Sequence, residues 1–467
     1  MERFAQYIES RLGRQPDFKA HRFMVDSSVA VVCAYLETLV DKEQLQELVI
    51  LPLLELRFPE PDSMHPIARI RSTLSGNAYT LEEDPRKWIS GVTSGQCLLL
   101  IEGDEFGYLL DISSFQHRSI EEPKAEKTVR GPGEGFTENI MTNVSLIRSR
   151  VKSPQLVFES YTVGETTQTR VFLAYLQGRP SEQRLQLYRD RLSSIQTDAV
   201  FESAHVEQFL EEQELTPFPK TLYTERPDVV GSHLVNGKIA VLTDGTPYCL
   251  IAPATFFEFF ISAEDYYQKA LFATLLRWLR FLSFLLSVYT PSIYIALTNY
   301  RQEIIPSALL INLAAQREGV PFPAFVEAIL MLLMFELLRE AGIRMPTVTG
   351  QAISILGAVV LGQAAVEAGL VSAAMVIVVG ITSIANFVSP TFGFGMAQRV
   401  LQFLFMFLAV ILGLYGLFIG TLLLIIHLVS LKTSGEPYLS PIAPTLRNRY
   451  QDTLVRMPWS KMKPPKR

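Results

Sequence analysis

The chain has 467 residues, of which 48% are hydrophobic and 19% are charged, so it is more apolar than a wholly soluble protein. Residues 1–270 carry 27 Lys and Arg against 39 Asp and Glu, whereas residues 271–467 carry 15 against 8, so an acidic part precedes a basic one. This composition excludes intrinsic disorder, a collagen-like fibre and a disulfide scaffold, and the acidic part would repel the phosphates of a nucleic acid.

The N-terminus and the cysteines together indicate a reducing, cytoplasmic setting for the first part. Residues 1–14 are charged and amphipathic and lack the apolar core of a signal peptide. Cys33, Cys97 and Cys249 are sparse, odd in number and far apart, which is typical of a reducing compartment. Neither they nor the six histidines have the spacing of metal ligands, so we predict no metal site and no cofactor.

Residues 28–112 predict a first subdomain of strands and helices. Residues 28–56 begin with a β-rich run and pass into helical periodicity. Two short apolar runs, 97–101 and 106–112, flank the polar residues 102–105 and predict a β-hairpin. Residues 123–135 are rich in charge, Gly and Pro, and they predict a joint between two subdomains.

The residues after this joint predict a second α/β subdomain, because strand and helix patterns alternate. A helix is expected to open at Thr137, with Arg148 and Arg150 in its last turn, in agreement with the helix dipole. The further predicted elements are strands at 156–163 and 170–176, helices at 182–195 and 204–214, and a hairpin that turns at Asp244-Gly245.

From about Leu271 the pattern changes to apolar segments that approach or exceed the roughly 17–25 residues needed to cross a bilayer. There are five such segments: 271–297, 322–338, 348–366, 370–388 and 400–430. The predicted fold class is therefore α+β, a soluble N-terminal region of two α/β subdomains followed by an α-helical transmembrane domain. The predicted domains are 1–122, 123–270, the transmembrane domain 271–430, and a basic C-terminal tail at 431–467.

Basic residues next to the apolar segments predict that both ends of the transmembrane domain are cytoplasmic. Arg277 and Arg280 lie at the start of the first segment, and the tail from Lys432 to Arg467 holds eight basic and two acidic residues. Two ends on one side require an even number of crossings. Either one segment, with 322–338 as the candidate, does not cross fully, or the 31-residue last segment doubles back.

Two acidic residues, Glu327 and Glu336, lie within the second apolar segment. A charge at bilayer depth costs roughly 2.5–3.5 kcal/mol on insertion scales, so such residues usually face water, a partner or a pathway. We expect Glu327 to face a hydrated vestibule or a partner. The alternative is that this helix lies at the membrane interface with both carboxylates solvated, Glu336 being close to Arg339.

The third apolar segment has two faces of different chemistry. One is a stripe of small residues that would let helices approach closely: Ser354, Ala358, Gly362 and Ala365. The other is the candidate lining and gate of a pore that closes by dewetting: Ile355, Val359, Gln363 and Val366. The alternative is ordinary helix packing, with the Gln363 amide hydrogen-bonded to a neighbouring helix.

The soluble part does not predict an enzyme. Residues 130–135 (RGPGEG) lack the GK[ST] ending of a phosphate-binding loop, and no strong strand precedes them, so a structural turn is favoured. The Ser, His and Asp residues show no nucleophile elbow and no spacing of paired catalytic carboxylates.

Four stretches of sequence together resemble the A subunit of the GerA-type spore germinant receptors: 130–156, 224–260, 317–346 and 350–385. The resemblance covers nearly the whole chain and is weakest in the first 120 residues. The related SpoVAF-type sporulation protein has a similar pattern, whereas the turn DGTP (244–247) and the run IAPATFFEFF (251–260) favour the receptor A subunit. Gly133 and Ser149 depart from the family pattern locally.

This resemblance implies a multi-pass subunit of a nutrient receptor in the inner membrane of the dormant spore. It implies assembly as a pentameric, nutrient-gated channel for monovalent cations, with a germinant-binding B subunit and a lipoprotein C subunit as partners. The stripe that contains Val359 and Gln363 would then line the lumen. Two alternatives stay open: a scaffold for the partner subunits, and a transporter-like subunit, against which the lack of an internal repeat argues.

Overall fold

The computed structural model describes residues 2–13, 15–58, 65–74, 79–113, 122–123, 126, 128–212, 214–344, 361–445 and 452–461. The chain forms two compact units. Unit 1 comprises Met1–Glu212 and Thr221–Pro253, and unit 2 comprises Gln213–Lys220 and Ala254–Arg467. Unit 2 therefore begins ahead of the domain boundary predicted at residue 270.

The first part of unit 1 is a five-stranded antiparallel sheet in the order β1-β2-β4-β5-β3. Its strands are β1 (Phe18–Val25), β2 (Val29–Leu36), β3 (Tyr79–Glu82), β4 (Gln96–Ile101) and β5 (Gly107–Asp111). Its helices are α1 (Glu2–Leu12), α2 (Lys42–Leu45), α3 (Leu51–Glu55), α4 (Pro66–Leu74) and α5 (Pro85–Thr93), with a π-helical turn at Gln46–Ile50. The predicted hairpin at 97–112 is confirmed as β4 and β5.

Alternation of side chains along β2 explains why this sheet lies between two helical layers. Val31 and Cys33 belong to the core that α2, α3 and α4 cover, whereas Val32 and Leu36 belong to the core that α1 and α5 cover. Seven of the eight residues of β2 are buried, as expected for a strand covered on both faces.

The second part of unit 1 is another antiparallel sheet, in the order β6-β7-β9-β10-β8. Its strands are β6 (Leu156–Val163), β7 (Thr169–Leu176), β8 (Leu222–Thr224), β9 (Ile239–Thr243) and β10 (Cys249–Ala252). Its helices are α6 (Ile140–Arg150), α7 (Glu182–Ser193), α8 (Ser203–Leu210) and α9 (Pro227–Val235). The mixed α and β content is thus confirmed. The pairing is antiparallel because short hairpins join β6 to β7 and β9 to β10.

Two helices of this second part differ from their predicted bounds for local reasons. The helix expected to open at Thr137 begins at Ile140, because the Asn139 side chain accepts hydrogen bonds from the backbone N–H groups of Met141 and Thr142 and so caps the helix. Helix α8 ends at Leu210 rather than at 214, since Glu211 has an extended backbone.

Unit 2 is helical. Its helices are α10 (Ala270–Tyr300), α11 (Ser307–Arg317), α12 (Ala324–Arg344), α13 (Gly362–Glu367), α14 (Ala373–Phe387) and α15 (Phe392–Ser430). Helical turns of the 3₁₀ type lie at Phe256–Phe260, Ala263–Tyr266, Gln302–Ile304 and Trp459–Lys461, and β11 (Lys432–Thr433) pairs with β12 (Glu436–Pro437). Among the described helices, α10 and α15 are long and apolar enough to cross a membrane, and α14 is a shorter apolar helix.

Helix α15 doubles back on itself at Gly413, whose φ of 59° and ψ of −137° interrupt the helix. The Phe218 ring lies 6.3 Å from the ring centroids of both Phe394 and His427, so these two rings are within about 13 Å of each other. In a straight helix the 33 residues between them would span about 50 Å. Residues 392–412 and 414–430 therefore form two antiparallel arms.

Small residues let the two arms approach closely. A Cβ atom added at Gly420 would lie 2.8 Å from Leu408 Cδ1 and 3.0 Å from Phe405 Cε1 of the other arm. A Cβ atom at Gly416 would meet the backbone oxygen of Leu408. The two glycines four residues apart thus form the contact face of the second arm, as in close pairs of membrane helices.

The segment after α15 is docked onto unit 2 at two points. Tyr438 is completely buried, and its hydroxyl donates a 2.8 Å hydrogen bond to the backbone oxygen of Pro219. Further along, the guanidinium of Arg456 donates to the backbone oxygen of Gln268 at 2.9 Å. The described part of the predicted basic tail is therefore an ordered part of this unit.

Candidate functional site in the helical unit

Helix α10 lies along both arms of α15. At the middle of α10 the Phe284 ring lies 5.6 Å from the Phe394 ring. Further along, the Tyr289 ring is 4.8 Å from Phe405, and its hydroxyl is 2.9 Å from Thr421 Oγ1 of the second arm. At its end the Tyr300 ring lies against Gly413, so α10 runs from the open end of the hairpin to its turn.

Helices α12 and α14 are parallel, and Glu327 joins their beginnings. Its carboxylate accepts 2.8 Å hydrogen bonds from both the backbone N–H and the hydroxyl of Ser372, the N-cap residue of α14. Arg317 Nε lies 3.6 Å from the other carboxylate oxygen. A negative charge at a helix N-terminus is favourable. Glu327 is completely buried, and its contacts with Ser372 and Arg317 are within the same chain; its predicted vestibule or partner stays a prediction.

Glu336 lies near the opposite end of the same helix pair, between two arginines. Its oxygens are 3.2 Å from Nη1 of Arg339 and 3.2 Å from Nη1 of Arg399, the latter in the first arm of α15. The Arg339 guanidinium lies over the Phe387 ring at the end of α14. The two acidic residues of α12 thus occupy different ends of this helix and have different partners.

Only one end of the candidate pore segment lies within the described residues. Gly362 and Ala365 are buried, and a Cβ atom at Gly362 would lie 3.7 Å from Val376 of α14. Gln363 is exposed, and its amide donates a 2.9 Å hydrogen bond to Glu367. Val366 is half-buried.

The other four candidate residues, Ser354, Ile355, Ala358 and Val359, lie outside the described residues. The contact of the small stripe with a second copy and the pore-lining role of the other stripe both stay predictions.

A buried ion network at the start of α10 was not foreseen from the sequence. Asp265 is completely buried and accepts from Arg277 Nε at 3.1 Å and from Arg280 Nη1 at 2.8 Å. Arg277 Nη1 also lies 2.8 Å from Asp452, beyond α15. The two arginines that indicated a cytoplasmic flank are thus largely neutralised by two aspartates.

Unit 1 brings together two of the sequence stretches that carry the family resemblance. The buried Arg226 donates to the backbone oxygen of Pro132 at 2.9 Å and to Thr128 Oγ1 at 3.2 Å. The backbone N–H of Phe136 donates to the oxygen of Glu225 at 2.7 Å. The RGPGEG run (130–135) is therefore held against the segment before α9.

Among the described residues, no group of three or more His, Cys, Asp or Glu side chains is arranged to hold a metal ion.

The model of the family described as Bacillus/Clostridium GerA spore germination protein matches residues 6–467. The chain belongs to the GerA family. Several of its relatives are named spore germination proteins.

Two proteins of Bacillus subtilis (strain 168) are similar to most of this chain. Spore germination protein KA is 42% identical over 92% of this chain and 79% of its own length. The uncharacterized membrane protein YfkQ is 41% identical over 95% of this chain and 86% of its own length.

A solved structure is also similar. It is the N-terminal domain of the A subunit of the Bacillus megaterium spore germinant receptor GerK3. It is 30% identical, with a TM-score of 0.43, and covers 54% of this chain and 94% of that chain.

In this GerA-family chain, the surroundings of Glu327 predict the effect of Glu327→Gln. The amide still accepts from Ser372 but loses the charge that faces Arg317 and the start of α14. Since hydrogen bonds to charged groups contribute about 1.5–3 kcal/mol, we expect a loss of about 1–2 kcal/mol. Reduced hydrogen-exchange protection of residues 372–376 would show it. The exposed Glu340→Gln is the control, and equal protection in both variants would contradict this role.

A second prediction concerns Glu207 of α8. The pKa of Glu207 is raised to about 7, mainly by burial of its carboxyl group. A hydrogen bond from Thr221 lowers this pKa, and the nearby carboxylates of Glu211 and Glu202 raise it. The folded state therefore binds more protons than the unfolded state between about pH 4.5 and 7, and stability falls as the pH rises through this window.

Glu207→Gln removes this dependence. At about 1.4 kcal/mol per pKa unit, we expect the variant to be about 3 kcal/mol more stable than the parent at pH 8. Hydrogen exchange of residues 203–224 in the full chain at pH 5.5 and 8 measures it. The exposed Glu165→Gln serves as the control. A Glu207→Gln variant that keeps the parent's pH dependence would disprove the assignment.

Proposed function

We propose that this chain is the A subunit of a germinant receptor in the inner spore membrane and that it helps to trigger germination without catalysing a reaction. The observation that carries the proposal is the family match over residues 6–467, together with relatives that are named spore germination proteins. The SpoVAF-type relative is the alternative within the same family.

In this proposal unit 2 crosses the membrane six times. Helix α10 supplies one crossing and the two arms of α15 supply two more. The 21 residues of the first arm measure about 32 Å and the 17 residues of the second about 26 Å, so each is near the length of a bilayer span. The doubling back of the last apolar segment therefore supports the even number of crossings inferred from the basic flanks.

We assign two further crossings to the parallel pair α12 and α14, which are more charged or shorter than α10 and α15, and one between them to the predicted third apolar segment, 348–366. Glu327 and Ser372 lie together where the two helices begin, and Arg339 lies over Phe387 where they end. Gly362 is close to Val376, near the beginning of α14. With the predicted third apolar segment as the crossing between them, six crossings leave both ends of unit 2 on one side. We propose that this side is the cytoplasmic side, that of the spore core.

We further propose that five copies surround a pore for monovalent cations, lined by the third apolar segment, and that B and C subunits complete the receptor. The described end of that segment supports this arrangement. Its small face, with Gly362 and Ala365, is turned to its own chain, while Gln363 is exposed on the other side. An exposed amide at this position is available to a water-filled lumen.

Cation flux through the purified chain in liposomes tests the channel. Five copies of Val359 would form one apolar ring around the pore. Val359→Ala removes two methyl groups from each copy, and each lost group reduces the hydrophobic stabilisation of the closed state by about 0.8 kcal/mol. A change of 1.4 kcal/mol is a factor of ten, so we expect at least a tenfold larger flux without nutrient, and premature germination of spores.

Val400→Ala, at an exposed valine of α15, is the matched control and should leave the flux unchanged. If neither the chain alone nor the chain with its partner subunits conducts, the channel is excluded, and the scaffold is the better description.

A further inference from the structure

Two arginines in unit 2 share a single carboxylate. Glu336 lies between Arg339 and Arg399, at 3.2 Å from a guanidinium nitrogen of each. The three side chains therefore carry one net positive charge.

Both guanidinium groups are held in place by aromatic rings. Arg339 lies 4.7 Å from the centroid of Phe387, and Arg399 lies 5.7 Å from that of Phe392. The side chains of Arg339 and Arg399 are only 9% and 18% exposed. A planar guanidinium stacked on a ring has little freedom, so its remaining N–H groups keep fixed directions.

Two of these nitrogen atoms, Nε of Arg339 and Nε of Arg399, are buried without an acceptor among the described residues, and Nη1 of Arg339 faces Glu336 at 3.2 Å. Within the described part of the chain, these two atoms and Nη1 of Arg339 make no hydrogen bond of normal geometry. A buried donor without a partner costs about 1–3 kcal/mol, and more when it is charged. An excess positive charge with fixed, unused donors is the arrangement that a phosphate group satisfies.

We propose that Arg339 and Arg399 bind the phosphate of an anionic phospholipid headgroup. The pair lies where α12 and α14 end and α15 begins, which is also the open end of the hairpin. If unit 2 spans the membrane, as proposed above, that end is at the headgroup layer on the side where α10 starts. Arg399 lies about two turns inside α15, within reach of this layer by an extended side chain.

The inference rests on the proposed membrane placement and not on channel activity. Two other sources of negative charge could meet the same donors. A soluble phosphate offers the same chemistry, and a carboxylate from a second copy would serve as a different partner. The experiment separates these three cases.

The test is lipid retention by the full chain, measured by native mass spectrometry after titration with phosphatidylglycerol or phosphatidylcholine. We expect retention of phosphatidylglycerol at concentrations about tenfold lower than phosphatidylcholine. Arg339→Gln and Arg399→Gln should abolish this difference. The matched control is Arg344→Gln, at an exposed arginine that pairs with Glu340 and should retain the difference.

A variant with the opposite effect guards against simple misfolding. Glu336→Gln removes the competing carboxylate, so it should tighten phosphatidylglycerol binding severalfold. Equal retention of both lipids by the parent, or unchanged retention in Arg339→Gln, would overturn the proposal. Displacement of the lipid by inorganic phosphate at similar concentration would identify a soluble anion instead. Loss of binding only in the oligomer would identify a second copy's carboxylate.

Flotation with vesicles separates this inference from the proposed function. A chain that does not float with phosphatidylcholine vesicles would overturn the membrane placement itself. A chain that inserts into them but shows no preference for phosphatidylglycerol would overturn only the lipid site.

Discussion

Gly420→Leu should separate the two arms of α15. The Cβ atom alone would lie 2.8 Å from Leu408 Cδ1, and the rest of a leucine side chain has no space between the arms. Overpacking of this kind costs about 1–3 kcal/mol, and relief requires the second arm to move away from Phe405. The hydrogen bond between Tyr289 and Thr421 should be lost at the same time.

Spin labels at Met396 and Ile426, both exposed, would report the separation as a distance. In the hairpin these residues are near each other at its open end, whereas a straight helix would hold them about 45 Å apart. The native cysteines are all buried, so labelling is restricted to the introduced sites. We expect a short, narrow distance distribution in the parent and a longer, broader one in Gly420→Leu.

Gly380→Leu is the matched control, because no described atom lies within 4 Å of a Cβ built at Gly380 of α14. It should leave the distance unchanged. A distance of about 45 Å in the parent would exclude the hairpin, and with it the six crossings.

The sequence offered the hairpin only as one of two ways to obtain an even number of crossings. The apolar run was placed at 400–430, and 31 residues are short for two arms. The structure starts α15 at Phe392, so the helix has 39 residues. The missing turns contain Gln398 and Arg399, which lower the hydropathy. Both are accommodated by partners from other helices, Asn386 and Glu336, that no local pattern indicates.

Elements determined by neighbouring residues were predicted well. Strand β6 matches the predicted bounds, and β9 and β10 flank the predicted turn at Asp244-Gly245. Contacts between distant residues were not predictable in this way. Arg277 was interpreted as a membrane flank, yet it is paired with Asp452, 175 residues later. A charge pattern along the chain records the sign of each residue and not its partner.

The same limit applies to Arg148, which was assigned to the helix dipole of α6. Its guanidinium donates two hydrogen bonds of 2.7 Å to the two carboxylate oxygens of Asp17, 131 residues earlier. The two side chains are 2% and 0% exposed. Thr38 also donates to Asp17 at 2.7 Å, and the guanidinium lies 4.9 Å from the centroid of the Phe158 ring.

Arg148→Ala is therefore expected to destabilise unit 1 by about 3–5 kcal/mol, because it leaves the carboxylate of Asp17 buried without its counter-charge. Arg148→Lys should not restore stability, since an ammonium cannot make the two parallel hydrogen bonds of the guanidinium. Hydrogen exchange of residues 18–36 and 156–176 in the full chain would measure the loss.

The double variant Asp17→Leu/Arg148→Met tests whether the pair itself causes this loss. Replacing both partners by apolar side chains removes the unpaired charge, so the double variant should be close to the parent and well above either single variant. Arg150→Ala is the control, because Arg150 is partly exposed and pairs with Glu134 at the surface, where such a pair contributes about 1 kcal/mol or less. Additive losses in Asp17→Leu/Arg148→Met would show that the two residues act independently and that the bidentate pair does not stabilise unit 1.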